Sequence, residues 1–422
     1  VDSNQHPCVI IGAGPAGLAC AWRLTQLGRR CLILEAADDV GGRVRTDLVD
    51  GFRLDRGFQV LLSSYPQTAR VVDFDRLDLR PFKAGAIVRR AGRFHRAFDP
   101  LRHPTDLLAT ATTPLLSIGD KVRLGRLWAE VLGTSPANLL TTGPERTTGE
   151  ELAARGFSPP SIEAFFRPFF GGVFLQSRLA TSSRFFKYLF RMFATGRAVV
   201  PADGMGAIPH QLAGRLKAAG VEIRLNSRVV GRSAAGVALS TGERLTASAV
   251  VVATDLPAAR RLIPDLSAVA VGTARSALTL WFDSPSPVVN SPTLVLNGDG
   301  EGPVNHLAEM SAVSERYAPA GRSLVAASVL DGDPGDPELE SSVRHQMAGW
   351  IGPGAASWRL LRIDRIPFAL PPAEPPTFSQ PARSPRVGEG LFVCGDHTEH
   401  PSIEGAIVSG IRAADAIAES PI

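Results

Sequence analysis

The stretch "CVIIGAGPAGLACAWRLTQLGRRCLILEA", Cys8 to Ala36, decides the fold. Apolar Cys8–Ile11 reads as a buried parallel strand. Gly12, Gly14 and Gly17 then open a helix that turns Leu18, Ala21 and Leu24 to one face. A second apolar strand, Cys31–Leu34, ends at Glu35. The glycines serve different ends: Gly12 makes the tight turn, Gly14 lets the backbone approach a pyrophosphate, and Gly17 lets helix and strand pack closely. Free amides and the helix dipole then face the phosphates. Glu35, 18 residues beyond Gly17, is placed to accept hydrogen bonds from a ribose. Strand, helix, second strand and terminal acid agree on a dinucleotide site made by Gly12, Gly14, Pro15, Ala16, Gly17, Glu35 and Ala36. On its own, this unit fits NAD or FAD.

Composition sets limits around that unit. The chain has 422 residues, 44% hydrophobic and 20% charged, the balance of a folded globular protein long enough for two or three domains. No apolar run approaches the roughly 18 residues that span a bilayer. Only "VDSNQHP" precedes the first strand, which leaves no room for a signal peptide, a cleaved leader being invisible in the sequence. The net charge of +4 comes from interspersed residues, and only Lys83, Lys121, Lys187 and Lys217 among the cations are lysine. A GC-rich bacterial genome gives that bias, whereas nucleic-acid binding needs a clustered basic face, so no nucleic-acid partner is expected. Cys8, Cys20, Cys31 and Cys394 lack zinc-like pairing, and buried free thiols in a reducing cytoplasm are the expectation.

The next segments, "DDVGGRVRT" (38–46) and "GFRLDRGFQVLLSSYP" (51–66), resemble those that follow the second strand in the FAD-dependent amine oxidase, protoporphyrinogen oxidase and phytoene desaturase superfamily. The resemblance continues in "PADGMGAIPHQL", in a strand whose Val229 would meet the adenine through its backbone, and in "ASAVVVATD", which carries Ala253 and Thr254. It implies an α/β fold. A Rossmann-like FAD-binding domain of the glutathione-reductase-2 type is formed by residues 1–82, 201–270 and 386–422. The inserted α+β substrate domain takes residues 83–200, with helical patterning, and 271–385, with antiparallel strands over 271–370. In this reading Gly41 and Gly42 permit close backbone passage and Arg43 neutralises the pyrophosphate. Gly57 lets the chain run against the flavin, leaving Phe58 and Gln59 near its reactive face.

A second glycine loop, "GDHTEHPSIEGAIVSG" (395–410), follows the strand-like "LFVC". The resemblance implies that it closes over the flavin end of the same cofactor. Gly395 makes the turn, and Asp396 holds the ribityl hydroxyls or the pyrophosphate end. A helix beginning near Ser402, Ile403, Glu404, Gly405 and Ala406 points its amides at the pyrimidine edge, where charge accumulates on reduction. Asp396, His397, Glu399 and His400 also suggest a metal, but Pro401 and the preceding glycine argue for a loop, with 397, 399 and 400 as solvated side chains. No metal is expected, and FAD is expected to be bound non-covalently.

Two departures from the amine oxidases narrow the chemistry. Ala277 occupies the place where they commonly carry a lysine, and Ser402 the place of an aromatic that frames the amine. The "SIEGAIVSG" run looks closer to the desaturase-like branches. The aromatic segments "IEAFFRPFFGGVFL" and "SSRFFKYLFRMFATG" offer Phe170, Phe174, Phe186 and Tyr188 as substrate-lining candidates, alongside Phe58, Gln59 and Ser402 facing the flavin. Lys187 and Arg191 on the same run are candidates to flank a membrane-surface entrance. The expectation is an FAD-dependent dehydrogenase or desaturase. It takes a hydride equivalent from a largely apolar, lipophilic small molecule and passes electrons to oxygen or a quinone-like acceptor. Amine oxidation with an atypical cage, reduced-flavin isomerisation and a non-catalytic flavoprotein are the alternatives. A cytoplasmic protein, monomer or homodimer, with peripheral membrane contact as a second reading, completes the expectation.

Overall fold

The computed structural model describes residues 6–99, 102–103, 105, 110, 112–233, 236–264, 266, 274–333, 335–379 and 384–420. The expected domain boundary at 270/271, the first five residues and residues 380–383 lie outside them.

Four-residue strands with every side chain buried cannot stand at a sheet edge, and here they form its centre. Cys8–Ile11 lies between Cys31–Leu34 and Ala249–Val252, pairing in parallel with both (Cys8 opposite Cys31 and Ala249). Glu222–Arg224 extends the sheet beyond Cys31–Leu34, and Leu391–Val393 extends it on the other side, both in parallel. Arg386–Gly388 closes that edge antiparallel. One six-stranded sheet thus draws on three remote stretches of chain. Helices Pro15–Gln26, Ala207–Ala218 and Ile403–Glu419 cover one face, with the first packed against the other two.

A seven-stranded sheet makes the second layer. Its strands run in the order Arg359–Leu370, Arg275–Ser284, Ser323–Val329, Val304–Glu309, Leu294–Asn297, Gly85–Arg90 and Arg93–Phe98. All neighbours are antiparallel except Leu294–Asn297 beside Gly85–Arg90. The helix Leu339–Ile351 packs against this sheet. It sets Leu339, Val343 and Met347 against Leu280, Phe282 and Val325 of the sheet.

One reading is corrected. Residues 83–200 do not begin helical: Gly85–Phe98 is a hairpin of the large sheet. Its signal was the two-residue turn Ala91-Gly92, both at positive φ (49° and 74°), which suits the twist of paired strands. Helix Ile118–Gly133 starts at Ser117, which forms a reciprocal capping box with Asp120. Its apolar positions do not share one buried face. Leu127 and Val131 are buried, Leu124 and Trp128 face a cavity, and Val122 is 51% exposed.

The first and last helices touch through backbone. A methyl on Gly410 would strike the Ala16 carbonyl oxygen and the Cys20 amide, whereas Gly214, inside helix Ala207–Ala218, has nothing within 4 Å. The same substitution therefore has opposite signs at the two positions. Gly214→Ala should stabilise by about 0.5–1 kcal/mol through helix propensity. Gly410→Ala should destabilise by about 1–3 kcal/mol through overpacking. Chemical denaturation of both variants checks this.

Candidate functional site

A single cavity of about 1280 Å³ runs from the first glycine loop into the interface of the two layers. At one end it is bounded by Gly12, Gly14, Pro15, Ala16, Glu35, Ala36, Gly42, Val229, Ala253 and Thr254. Gly12 sits at φ 109°, and a Cβ there would lie 2.7 Å from the Ala253 carbonyl oxygen, so only glycine turns the chain from strand to helix here. The helix that follows has proline in its first turn and no side-chain cap. Its leading amides therefore face the cavity in want of an acceptor, which a phosphate supplies. The Glu35 carboxylate accepts from the amides of Ala13 (2.7 Å) and Ala37 (2.8 Å), fixing the loop while each oxygen keeps a lone pair for a hydroxyl.

Arg43 joins the two ends. Its guanidinium donates to Asp396 at 2.7 Å and to the carbonyl of Ala369 at 2.5 Å. Gln59 clasps the same loop by donating to the carbonyls of Arg43 (2.8 Å) and Arg56 (2.7 Å). The Gly57 amide donates to Asp364 at 3.0 Å, and Trp281 donates to the same oxygen at 2.7 Å. Asp364 thereby holds the turn that presents Phe58 to the cavity.

Gly395, Asp396, Ser402, Ile403 and Ala406 line the cavity from the C-terminal loop. Ser402 caps helix Ile403–Glu419 by accepting from the Gly405 amide at 3.0 Å, and its hydroxyl also meets His400 Nδ1 at 2.9 Å. Glu404 turns away. Its carboxylate accepts from the amides of Gln67 and Thr68 and from the Thr68 hydroxyl, so it caps the short helix Thr68–Val71. Gly17, Gly41 and Gly405 likewise lie behind the cavity wall, where each admits a neighbouring carbonyl.

The loop histidines are not solvated. His397 is 3% and His400 5% exposed, and burial pulls both down to about pKa 4. His400 packs on Tyr188 (ring centroids 5.0 Å) and Phe185 (5.4 Å), and Glu399 pairs with Arg412. Among the described residues no three His, Cys, Asp or Glu side chains converge as a metal site would require.

Beyond Phe58 the cavity widens into a chamber walled by Phe82, Phe165, Phe169, Phe170, Phe190 and Phe193. Of the aromatic candidates only Phe170 lines it. Helix Ser183–Thr195 turns Leu189, Phe190 and Phe193 inward. Phe186 lies behind them with its ring 4.8 Å from Phe170, and Tyr188 faces His400 on another side. Phe174 is wedged between Phe170 and Phe185. Lys187 and Arg191 serve packing rather than an entrance: Lys187 is buried beside Glu130 at 3.7 Å, and Arg191 donates to the carbonyls of Val131 and Leu132.

His306 has no counterpart in the sequence reading, its only signal being a histidine inside an apolar strand. It is 3% exposed, lines the chamber 4.9 Å from the Phe58 ring, and is pulled down to about pKa 4 by burial. Asn305 must donate to the Pro168 carbonyl (2.9 Å), so its nitrogen also faces His306 Nδ1 (3.1 Å). The proton of the neutral ring therefore sits on Nε2.

The match to known proteins agrees with this geometry. Residues 15–418 fit the family model described as flavin containing amine oxidoreductase, and the chain belongs to that family. It is 26% identical to a coproporphyrinogen III oxidase of Propionibacterium freudenreichii, over 83% of this chain and 78% of that one. It is also 26% identical to a hydroxysqualene dehydroxylase of Rhodopseudomonas palustris, over 97% of both. A putrescine oxidase structure superposes with TM-score 0.73 at 18% identity, covering 98% of this chain and 99% of that one, which establishes the shared fold. The protein is an FAD-dependent oxidoreductase with a Rossmann-like fold. The uncapped helix, the Glu35 clasp and the length of the cavity fit FAD, whose adenosine end Glu35 and Val229 would hold and whose flavin end Ser402, Ile403 and Ala406 would hold.

Two outcomes are expected. Asp396→Ala strands the Arg43 guanidinium and unties the two loops. FAD affinity should fall at least about tenfold, the loss of one charge-assisted contact, measured by fluorescence on release. Stability should also depend on acid. His306, His397 and His400 are held near pKa 4, below the roughly 6.5 of an unfolded chain. The unfolded state therefore binds more protons between those values. The stability that keeping them neutral contributes is complete above about pH 6.5 and is lost as pH falls toward 4, by about 1.4 kcal/mol per pH unit for each histidine. Denaturation from pH 7 to 4.5 should show this slope, and His397→Leu should remove about one proton from it.

Proposed function

We propose that this protein oxidises a largely apolar substrate by taking a hydride equivalent from a carbon held beside Phe58. Oxygen or a quinone-like molecule would then accept the electrons. Bound FAD supplies the two-electron chemistry. The chain's own work is to orient the carbon and exclude water.

The observation that carries the reading is the wall beside the Gly57–Phe58 turn. The Ala277 methyl lies 3.8 Å from where a Gly57 Cβ would stand, with Ile366 next to it, so no ammonium reaches the chamber from this strand. Across the cavity Ser402 spends its hydroxyl on His400 and on the helix cap rather than offering an aromatic face. Five phenylalanines, Phe165, Phe169, Phe170, Phe190 and Phe193, add a large apolar surface beyond the turn. Such a wall favours carbon over a protonated amine, whose desolvation it would not offset. The relatives named for coproporphyrinogen III and hydroxysqualene are consistent with this. Asp364 keeps the Gly57 amide in place, and neutral His306 holds an Nε2 proton at the chamber wall.

The test is anaerobic. Porphyrinogens, hydroxylated isoprenoids, polyenes and amines are mixed in turn with the purified FAD-loaded protein while flavin absorbance is followed. Bleaching by a porphyrinogen or isoprenoid, with none by amines, is the expected result. Bleaching by amines alone would reverse the assignment; turnover only after pre-reduction would mark isomerisation where the flavin stays reduced, and a reductive loss of hydroxyl where the flavin is reoxidised.

A further inference from the structure

A polar row crosses the chamber side of the large sheet. Thr279, Ser328 and His306 stand opposite one another on three adjacent antiparallel strands, Thr279 against Ser328 and Ser328 against His306. Opposed residues share a face, and this face also carries Trp281, Ala308 and Ala326. All three members of the row are buried. Thr279 is committed, its hydroxyl accepting from the Phe58 amide at 3.3 Å. The Ser328 hydroxyl and His306 Nε2 have no hydrogen-bond partner among the described residues. Each such group costs about 1–3 kcal/mol when left so, and folded proteins keep few of them. The imidazole is also held in one orientation. Asn305 faces Nδ1 at 3.1 Å, and helix Arg167–Phe174 backs the same edge, where a Cβ on Gly172 would lie 3.0 Å from Nδ1. The Nε2 proton is therefore a donor of fixed direction. The Phe58 ring, half-exposed in the chamber, packs edge-on against it with centroids 4.9 Å apart.

A pure hydrocarbon would leave that donor unsatisfied. The geometry points to a substrate that is apolar in bulk but carries one neutral oxygen, a carbonyl or a hydroxyl, close to the carbon held at Phe58, with His306 Nε2 donating to that oxygen once the Phe58 ring gives way. The Ser328 hydroxyl, one strand over, is the second polar group on the same floor. His306 is then a specificity-determining residue: it selects an oxygenated molecule from a hydrocarbon of the same size, in a chamber whose phenylalanines hold both. The inference deepens the proposed function and rests on its placing of the substrate carbon beside Phe58.

The test is calorimetric titration of the FAD-loaded protein with two probes of equal carbon number, 1-phenylpentan-1-one and pentylbenzene. The ketone should bind at least as tightly as the hydrocarbon, although its carbonyl is harder to take out of water. His306→Leu, with flavin absorbance as its check of folding, should weaken the ketone about tenfold, the loss of one hydrogen bond, while the hydrocarbon binds as before or tighter. His306→Gln, which offers an N–H donor at a similar reach, should restore most of the ketone's affinity. A second readout needs no variant: the infrared carbonyl stretch of the bound ketone should lie below its frequency in hexane. A hydrocarbon preference of tenfold or more in the unaltered protein overturns the inference. So does a ketone affinity that ignores His306→Leu, or a carbonyl stretch that stays at the hexane value. If the ketone responds to His306 while no candidate substrate reduces the flavin, the oxidative reading fails alone. If substrates reduce the flavin and the ketone ignores His306, the oxygen site fails alone. Binding of neither probe overturns both.

Discussion

Arg43 is where three remote parts of the chain are made to agree. Its guanidinium bonds the carboxylate of Asp396 and the carbonyl of Ala369, partners 353 and 326 residues away. It ties the turn after Gly41 and Gly42 to the C-terminal loop and to the end of the long strand Arg359–Leu370. The parallel sheet imposes the same demand on a larger scale. Cys8–Ile11 pairs on one side with the next strand of the chain and on the other with Ala249–Val252, which arrives only after two of the seven strands of the second layer and the helices around Phe165–Phe193. A parallel pair needs a crossover, and this chain uses its crossovers to build the chamber.

The cavity inherits that construction. Its nucleotide end is backbone: glycines, leading amides and a carboxylate already committed to two amides. Such a surface is rigid and indifferent to what the far end binds. The chamber end is side chain, contributed by the large sheet and by the helices around Phe165–Phe193. The joint between them is the Gly57–Phe58 turn, fixed from behind by Asp364 and Trp281. Chemistry common to the family belongs to the first part, and choice of substrate belongs to the second.

That division also explains what could be read in advance. The unit Cys8–Ala36 was legible because each step has a local cause: apolar strand, glycine turn, helix, acid. The helix beginning near Ser402, at the end of the C-terminal loop, was legible for the same reason, though not that Ser402 caps it. Within that loop, Glu404 and the two histidines were misplaced because their partners, Gln67, Thr68 and Tyr188, are hundreds of residues away. The aromatic run announced a chamber but not its faces. Which of Phe170, Phe174, Phe186 and Tyr188 looks inward depends on how helix Ser183–Thr195 is rotated against the sheet, and no local periodicity fixes that. The hairpin at 85–98 was missed although Ala91-Gly92 spelled its turn. His306 stood out only as a histidine in an apolar strand, and its place beside Phe58 and Asn305 depends on elements that meet only in the fold.

The central claim is that the two glycine loops, at residues 12–17 and 395–410, serve one cofactor rather than two. Cofactor stoichiometry tests it most directly. Protein purified with its cofactor and denatured in acid should release FAD into the supernatant, one molecule per chain, and no other nucleotide. Two nucleotides per chain, or a chain that neither carries FAD nor takes it up on reconstitution, would contradict the account.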